Sequence, residues 1–147
     1  MDAKAYLSRI KELSTKIKNK NYLIGCLEKE ALERATNITA NISGERVQSS
    51  GSKQRMADAV DRGRDRIIKL EKQRSRMEAE MDAIIADIDS LPERESDILH
   101  KVYVQNMSLK EVAATRGESK STVETGSARA HKMISDILGK RNKAKCN

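Results

Sequence analysis

The chain has 147 residues, with 29 Lys and Arg against 22 Asp and Glu for a formal net charge of +7, three Tyr, and no Phe or Trp. No stretch approaches the roughly 18 consecutive apolar residues that span a bilayer, and the N-terminus lacks the apolar core of a secretory signal. Two distant cysteines, Cys26 and Cys146, and two histidines, His100 and His131, lack the spacing of a disulfide framework or zinc site, and 2% aromatic content with one Pro suits neither sandwich nor barrel. The composition therefore points to an all-α, cytoplasmic protein with no cofactor, no metal and no membrane association.

The apolar residues are periodic, which separates this highly charged chain from a disordered one. With Ala3 as position a of a heptad, the a residues are Ala3, Ile10, Ile17, Ile24, Ala31 and Ile38, and the d residues are Tyr6, Leu13, Lys20, Leu27, Arg34 and Asn41. Nine of these twelve are apolar, which predicts a long amphipathic helix from Ala3 to Ile42. SGERVQSSGS, residues 43–52, interrupts the pattern with two Gly and four Ser and reads as a loop. A second periodic segment follows from Lys53 to Ile88, with Val60, Ile67, Arg74, Met81 and Ile88 at position a and Met56, Gly63, Leu70, Met77, Ile84 and Leu91 at position d, nine of the eleven apolar, and with Asp58–Arg62, Arg74–Glu78 and Arg76–Glu80 placed to pair one turn apart. Matched helix lengths and a short connection favour an antiparallel coiled-coil hairpin over residues 1–90; the same seam would also serve an intermolecular bundle or a homodimer.

From Ser90 the character changes. Ser90-Leu91-Pro92-Glu93 has the residues of a helix start, and Ile98, Leu99, Val102 and Tyr103 form one apolar face. Asn106-Met107 is a turn, Ser108 with Glu111 forms a capping box, and Leu109, Val112 and Ala113 face inward on a short helix that ends at Gly117. Ser119 caps a further helix carrying Val123, Ala130, Ile134 and Ile137. Residues 139–147 are basic and aperiodic, and read as a flexible tail. Small Ala113, the turn at Gly117 and the plug at Val123 are the physical requirements of a helix-turn-helix.

LPERESDILHKVYVQNMSLKEVAATRGESKSTV resembles region 4 of bacterial sigma-70 factors, with the pattern L-P-x-R-E-x-x-[IV]-L, then S-L-x-E-[IV]-A, then S-[RK]-S-T-V. The resemblance spans residues 91–138. The whole chain also resembles a phage and prophage family of low-GC Gram-positive bacteria, through MDAKAYLSRIKEL, SGERVQSSGSKQRMADAV and the sigma-like end. Some of these relatives are late-operon transcriptional regulators. These resemblances imply a phage-encoded transcriptional regulator that binds double-stranded promoter DNA and host RNA polymerase. They assign base or phosphate contacts to Lys120, Ser121, Thr122, Glu124 and Thr125, and phosphate neutralisation to Arg129, Lys132, Lys110 and Arg116. Arg46, Gln48 and Ser49 in the loop are candidates for gripping a partner.

The chain departs from the pattern at Glu118, where an apolar residue is usual, at Glu124, where Arg is common, and at Gly126, where loss of a large aliphatic is expected to leave a packing gap. Charge counts place +5 from Ser119 onward, with 7 bases against 2 acids, and zero over residues 44–91, with 10 against 10. That locates the expected polyanion footprint at the C-terminal end. No nucleophile–base pair, paired carboxylates or phosphate-binding glycine loop is present, so an enzyme is not expected. Two other readings fit the same elements. One is a small-terminase-like DNA-packaging subunit, which usually has the DNA-binding part first; the other is a coiled-coil adaptor that binds polymerase without touching DNA.

Overall fold

The computed structural model describes residues 2–42 and 50–145, with side chains described over 2–36 and 54–145. The candidate partner residues Arg46, Gln48 and Ser49 lie outside the described residues, as do the side chains of Ile38 and Asn41. The fold is all-α, and the described residues contain no strand. Helix α1 is Ala3–Ile42, α2 is Ser50–Asp89, α3 is Glu93–Leu99 and runs on into a π-helical turn His100–Val104, α4 is Leu109–Arg116, and α5 is Lys120–Lys145. Helix α2 thus begins three residues before the Lys53 expected from periodicity, because its first turn contributes nothing to the apolar seam.

The chain divides into two compact units, one of residues 16–77 and one formed by residues 1–15 with 78–147. In the first, Lys20 Nζ donates to Gln73 Oε1 at 2.8 Å and Arg74 donates to Asn21 Oδ1 at 3.1 Å, so α1 and α2 lie side by side there. Ile17 and Ile24 are buried at the seam. Further along, the expected seam is open: Ala31 is exposed, and Met56 and Val60 are 45% and 39% exposed. A two-helix seam covers each apolar side chain from one side only.

The other unit holds the main core. Ala3, Leu7, Ile10 and Leu13 of α1, Ile84 and Ile88 of α2, and Ile134 of α5 are all buried. Leu7 lies outside the heptad seam yet is fully buried, so the first turns of α1 are covered over a wider face than one partner helix provides. Asp87, only 5% exposed, organises the polar part of this core. Its carboxylate accepts from the Tyr6 hydroxyl at 2.6 Å and from both terminal nitrogens of Arg141. Bidentate pairing of this kind fixes direction as well as distance.

That clamp accounts for the end of the chain. The flexible tail expected from residue 139 is instead helical: α5 continues through Gly139 to Lys145. Arg141, one turn from the helix end, is held by Asp87 from 54 residues away, a contact that periodicity cannot register. Two of the three side-chain pairs expected along α2 also differ. Glu80 is taken by Arg9 at 2.8 Å, and Arg62 donates to the backbone carbonyl of Asp58 rather than to its carboxylate. At Glu80, pairing between helices takes the place of pairing along one helix.

Burial, with the adjoining Asp87 carboxylate, pushes the Tyr6 phenol up to about 12. The folded state therefore holds this proton more tightly than the unfolded chain, whose Tyr titrates near 10. The stabilisation is complete below that pH and is lost as pH rises through the folded value. Urea midpoints measured from pH 9 to 12 should fall above pH 10, and Tyr6→Phe should flatten that fall. An unchanged slope in the variant would place the alkaline sensitivity elsewhere.

Candidate nucleic-acid interface

The helices that carry the interface are set by local chemistry. Ser90, expected to help start α3, instead donates its hydroxyl to the Asp87 carbonyl at 2.7 Å, closing α2; Pro92 stands at the N-cap of α3 with no side-chain cap. Helix α4 opens with a complete capping box, the Ser108 hydroxyl accepting from the Glu111 N–H and the Glu111 carboxylate accepting from the Ser108 N–H. The Ser108 N–H and hydroxyl, each donating to the Glu111 carboxylate at 2.7 Å, hold that carboxyl below its usual range. Gly117 ends α4 at φ +65°, the left-handed conformation that lets the chain reverse into α5. Ser119 caps α5 by accepting from the Thr122 N–H at 3.2 Å.

Packing then fixes the angle between α4 and α5. Ile98, Val112, Ala113 and Val123 form a closed cluster, bordered by Val102, Met107 and Leu109. Val123 is fully buried as the plug between the helices, and Ala113 is the small residue on α4 opposite it. The π-helical turn carries Tyr103 toward α5, where its hydroxyl meets His131 Nε2 at 2.8 Å. His131 Nδ1 lies 2.6 Å from the Ser127 carbonyl, so Nδ1 carries the proton and Nε2 accepts from Tyr103. Burial, and then the charge of Asp2, raises the Tyr103 phenol.

The gap expected at Gly126 does not exist. Gly126 is buried, and a Cβ built on it would stand 2.7 Å from Ile98 Cδ1. Helix α3 has moved into the space that an aliphatic side chain would need, and Ile98 fills it from the other side. Glu118, unusual for its position, is also accounted for. It pairs with Arg94 at 3.0 Å and with Arg116 at 3.5 Å.

Arg116 in turn pairs with Asp97, which also takes Lys101 at 2.8 Å. Burial works to raise the Asp97 carboxyl, but Lys101 and Arg116 outweigh it and hold the group below the usual carboxylate range. Arg116 is therefore turned into a buttress between α3 and α4, with its guanidinium occupied by two carboxylates. The sequence pattern that placed it at a phosphate had no means of registering Asp97, 19 residues earlier.

The remaining expected residues come together on the outer face of α5. Lys120, Ser121, Thr122, Glu124, Thr125, Arg129 and Lys132 are all exposed, as is Lys110 on α4. Ser121, Thr122, Thr125 and Arg129 line a cleft of about 230 Å³ together with Arg94 and Glu95 of α3, which the sequence reading did not single out. Only their place in the L-P-x-R-E pattern could have suggested them. Several charges are partly committed: Lys120 pairs with Glu124 at 3.3 Å, and Arg129 reaches the buried Glu95 at 3.5 Å. Lys110 and Lys132 make no ion pair among the described residues. The arrangement is an exposed helix face, about a dozen residues long, whose hydroxyls and cations are backed by a fixed core.

Residues 88–133 match the family described as sigma-70, region 4. This segment is thus a sigma-70 region 4-like helix-turn-helix, of a DNA-binding domain family. No curated protein and no solved structure matches the chain. No helix among the described residues is long and apolar enough to cross a membrane.

Proposed function

We propose that the protein is a DNA-binding transcriptional regulator, phage- or prophage-encoded, that docks α5 in the major groove of promoter DNA in the cytoplasm of a bacterial host and acts with RNA polymerase. The observation that carries this reading is the outer face of α5, where Lys120, Ser121, Thr122, Thr125 and Lys132 stand uncovered beyond the turn at Gly117. Residues 91–138 supply the DNA contact and the long helices of residues 1–90 serve as an arm. The open seam at Met56 and Val60 suits closure by a second copy.

Lys120 is placed for a base edge or phosphate, and Ser121, Thr122 and Thr125 for adaptable hydrogen bonds. Lys110 and Lys132 are the phosphate neutralisers. Arg129 has a second duty, because the buried Glu95 carboxylate depends on it. Arg116 no longer belongs to the contact set.

Anisotropy titrations against promoter and random duplexes over a range of salt test this directly. Each of Lys110→Ala and Lys132→Ala should reduce the slope of log K against log salt by about 0.9 on every duplex. Lys120→Ala should instead change the preference among sequences. Absence of measurable duplex binding at low salt would overturn the reading.

A further inference from the structure

The unit that contains the helix-turn-helix supplies its own counter-charges. Residues 1–15 and 78–147 hold 14 Lys and Arg against 14 Asp and Glu, which leaves the whole excess of +7 on residues 16–77. The +5 counted from Ser119 onward is offset once folding brings residues 78–118 alongside. Around the exposed face of α5 the offset is made pair by pair: Lys120 with Glu124, Arg94 with Glu118, Arg129 with Glu95.

The last pair differs from the first. Lys120 and Glu124 are both exposed, so water competes for each and the pair holds loosely. The Glu95 side chain is 6% exposed, whereas that of Arg129 is 62% exposed. An exposed acid that loses its partner is rehydrated. A buried carboxylate is not, and a charge left unpaired there is strongly unfavourable. Arg94, the other arginine of the cleft, is taken by Glu118 at 3.0 Å, and among the described residues no cation besides Arg129 pairs with Glu95.

Two rows of side chains bring the pair together. Glu95 and Ile98 lie one turn apart on α3, and Gly126 and Arg129 lie one turn apart on α5. Ile98 occupies the space beside Gly126, and the same close approach carries the Glu95 carboxylate to 3.5 Å from Arg129 Nη1. The missing side chain at Gly126 thus lets an acid of α3 reach the face of α5 that carries Ser121, Thr122 and Thr125.

A phosphate that meets this face competes with Glu95 for Arg129. The salt dependence of duplex binding scales with the number of phosphates that the protein's cations neutralise, since each one releases counterions. Arg129 cannot leave Glu95 without stranding a buried charge, so it meets the backbone as one half of a neutral pair. Its guanidinium has five N–H donors and can still hydrogen-bond a phosphate oxygen, but it brings no net charge there. Lys110 and Lys132, which make no ion pair among the described residues, do bring one.

We infer that Glu95 is a positioning residue of the DNA-binding face, a built-in anion that fixes Arg129 and withholds its charge from the phosphate backbone. The consequence is weaker sequence-independent binding, with a larger share of the contact left to base edges, which alone separate one duplex from another by direct readout. The inference rests on the reading of the chain as a DNA-binding protein.

Its test uses the full chain, unrelated duplexes over a range of salt, and the variants Glu95→Gln, Arg129→Gln and the two combined. Gln at position 95 keeps the size and an acceptor oxygen, and neither Glu95→Gln nor the double variant leaves a buried charge unpaired. Glu95→Gln should steepen the slope of log K against log salt by about 0.9 on every duplex, a gain in affinity that grows about eightfold for each tenfold drop in salt. In the Arg129→Gln background the same substitution should leave the slope in place, so the double variant returns to the wild-type value. Equal steepening with and without Arg129 would mean plain removal of a negative charge and overturn the inference. A double variant shallower than the wild type by about 0.9 would show that Arg129 already neutralises a phosphate, and would overturn it too. A lower urea midpoint in Glu95→Gln with an unchanged slope would reduce the pair to a structural link and have the same consequence. In these three outcomes the wild-type chain still binds duplex and Lys132→Gln still lowers the slope, so the DNA-binding reading stands. Absence of duplex binding by the wild type would remove both.

Discussion

Gly126→Leu is expected to lower the unfolding free energy by about 3 kcal/mol, measured by urea unfolding at neutral pH. A single methyl at this position already meets Ile98 Cδ1 at 2.7 Å, and Ile98 is fully buried. Overpacking of a closed core costs about 1–3 kcal/mol, and four added carbons fall at the upper end. The cause can be isolated with smaller changes. Gly126→Ala gains about 1 kcal/mol in helix propensity and loses about as much to the contact. Ile98→Val deletes the atom that the new Cβ would meet, so in that background the propensity gain should emerge and Gly126→Ala should stabilise. Equal effects of Gly126→Ala in both backgrounds would show that the close approach of α3 to α5 is not what this glycine serves.

Asp87→Ala is the second large effect, an expected loss of about 2–3 kcal/mol. The substitution removes the acceptor shared by Tyr6 and Arg141. Hydrogen bonds to charged groups contribute about 1.5–3 kcal/mol each. The Arg141 side chain is 51% exposed, so solvent screens its share, and the sum stays well below twice that figure. The end of α5 should respond locally as well. Amide exchange over residues 139–145 should accelerate in Asp87→Ala and in Arg141→Ala to the same extent, with no further increase in the double variant. Additive acceleration would mean that something other than this clamp keeps the last turns of α5 helical.

The two predictions depend on contacts with different visibility in the sequence. The helix-turn-helix was legible because each of its signals is local: the Ser108–Glu111 box, the left-handed Gly117 and the Ser119 cap act within four residues of chain. The long helices were legible for a related reason, since a heptad repeats often enough to survive exceptions such as Lys20 and Arg34. The exposed face of α5 followed from the same periodicity, and Lys120, Ser121, Thr122, Thr125, Arg129 and Lys132 do share it. Arg116 was expected at a phosphate, and among the groups that engage it is Asp97, 19 residues earlier, which local pattern cannot register. Its exposure on an isolated α4 would be that of any terminal Arg, and only Asp97 and Glu118 turn it inward.

Charge shows the same division. By itself the sequence determined an all-α chain of net charge +7, two long heptad helices, and a capped turn at Gly117, because these depend on composition and on interactions within a few residues. Only the tertiary structure decided which bases stay available. Folding brings residues 1–15 and 78–147 into one unit whose charges cancel, and leaves the excess on residues 16–77. It also decided that Gly126 is a contact and that residues 139–145 are helical, through Ile98 and Asp87. The physical reason is common to all of these. Capping and periodicity act through neighbours along the chain, whereas close packing and ion pairing act through neighbours in space, and those exist only once the helices have met.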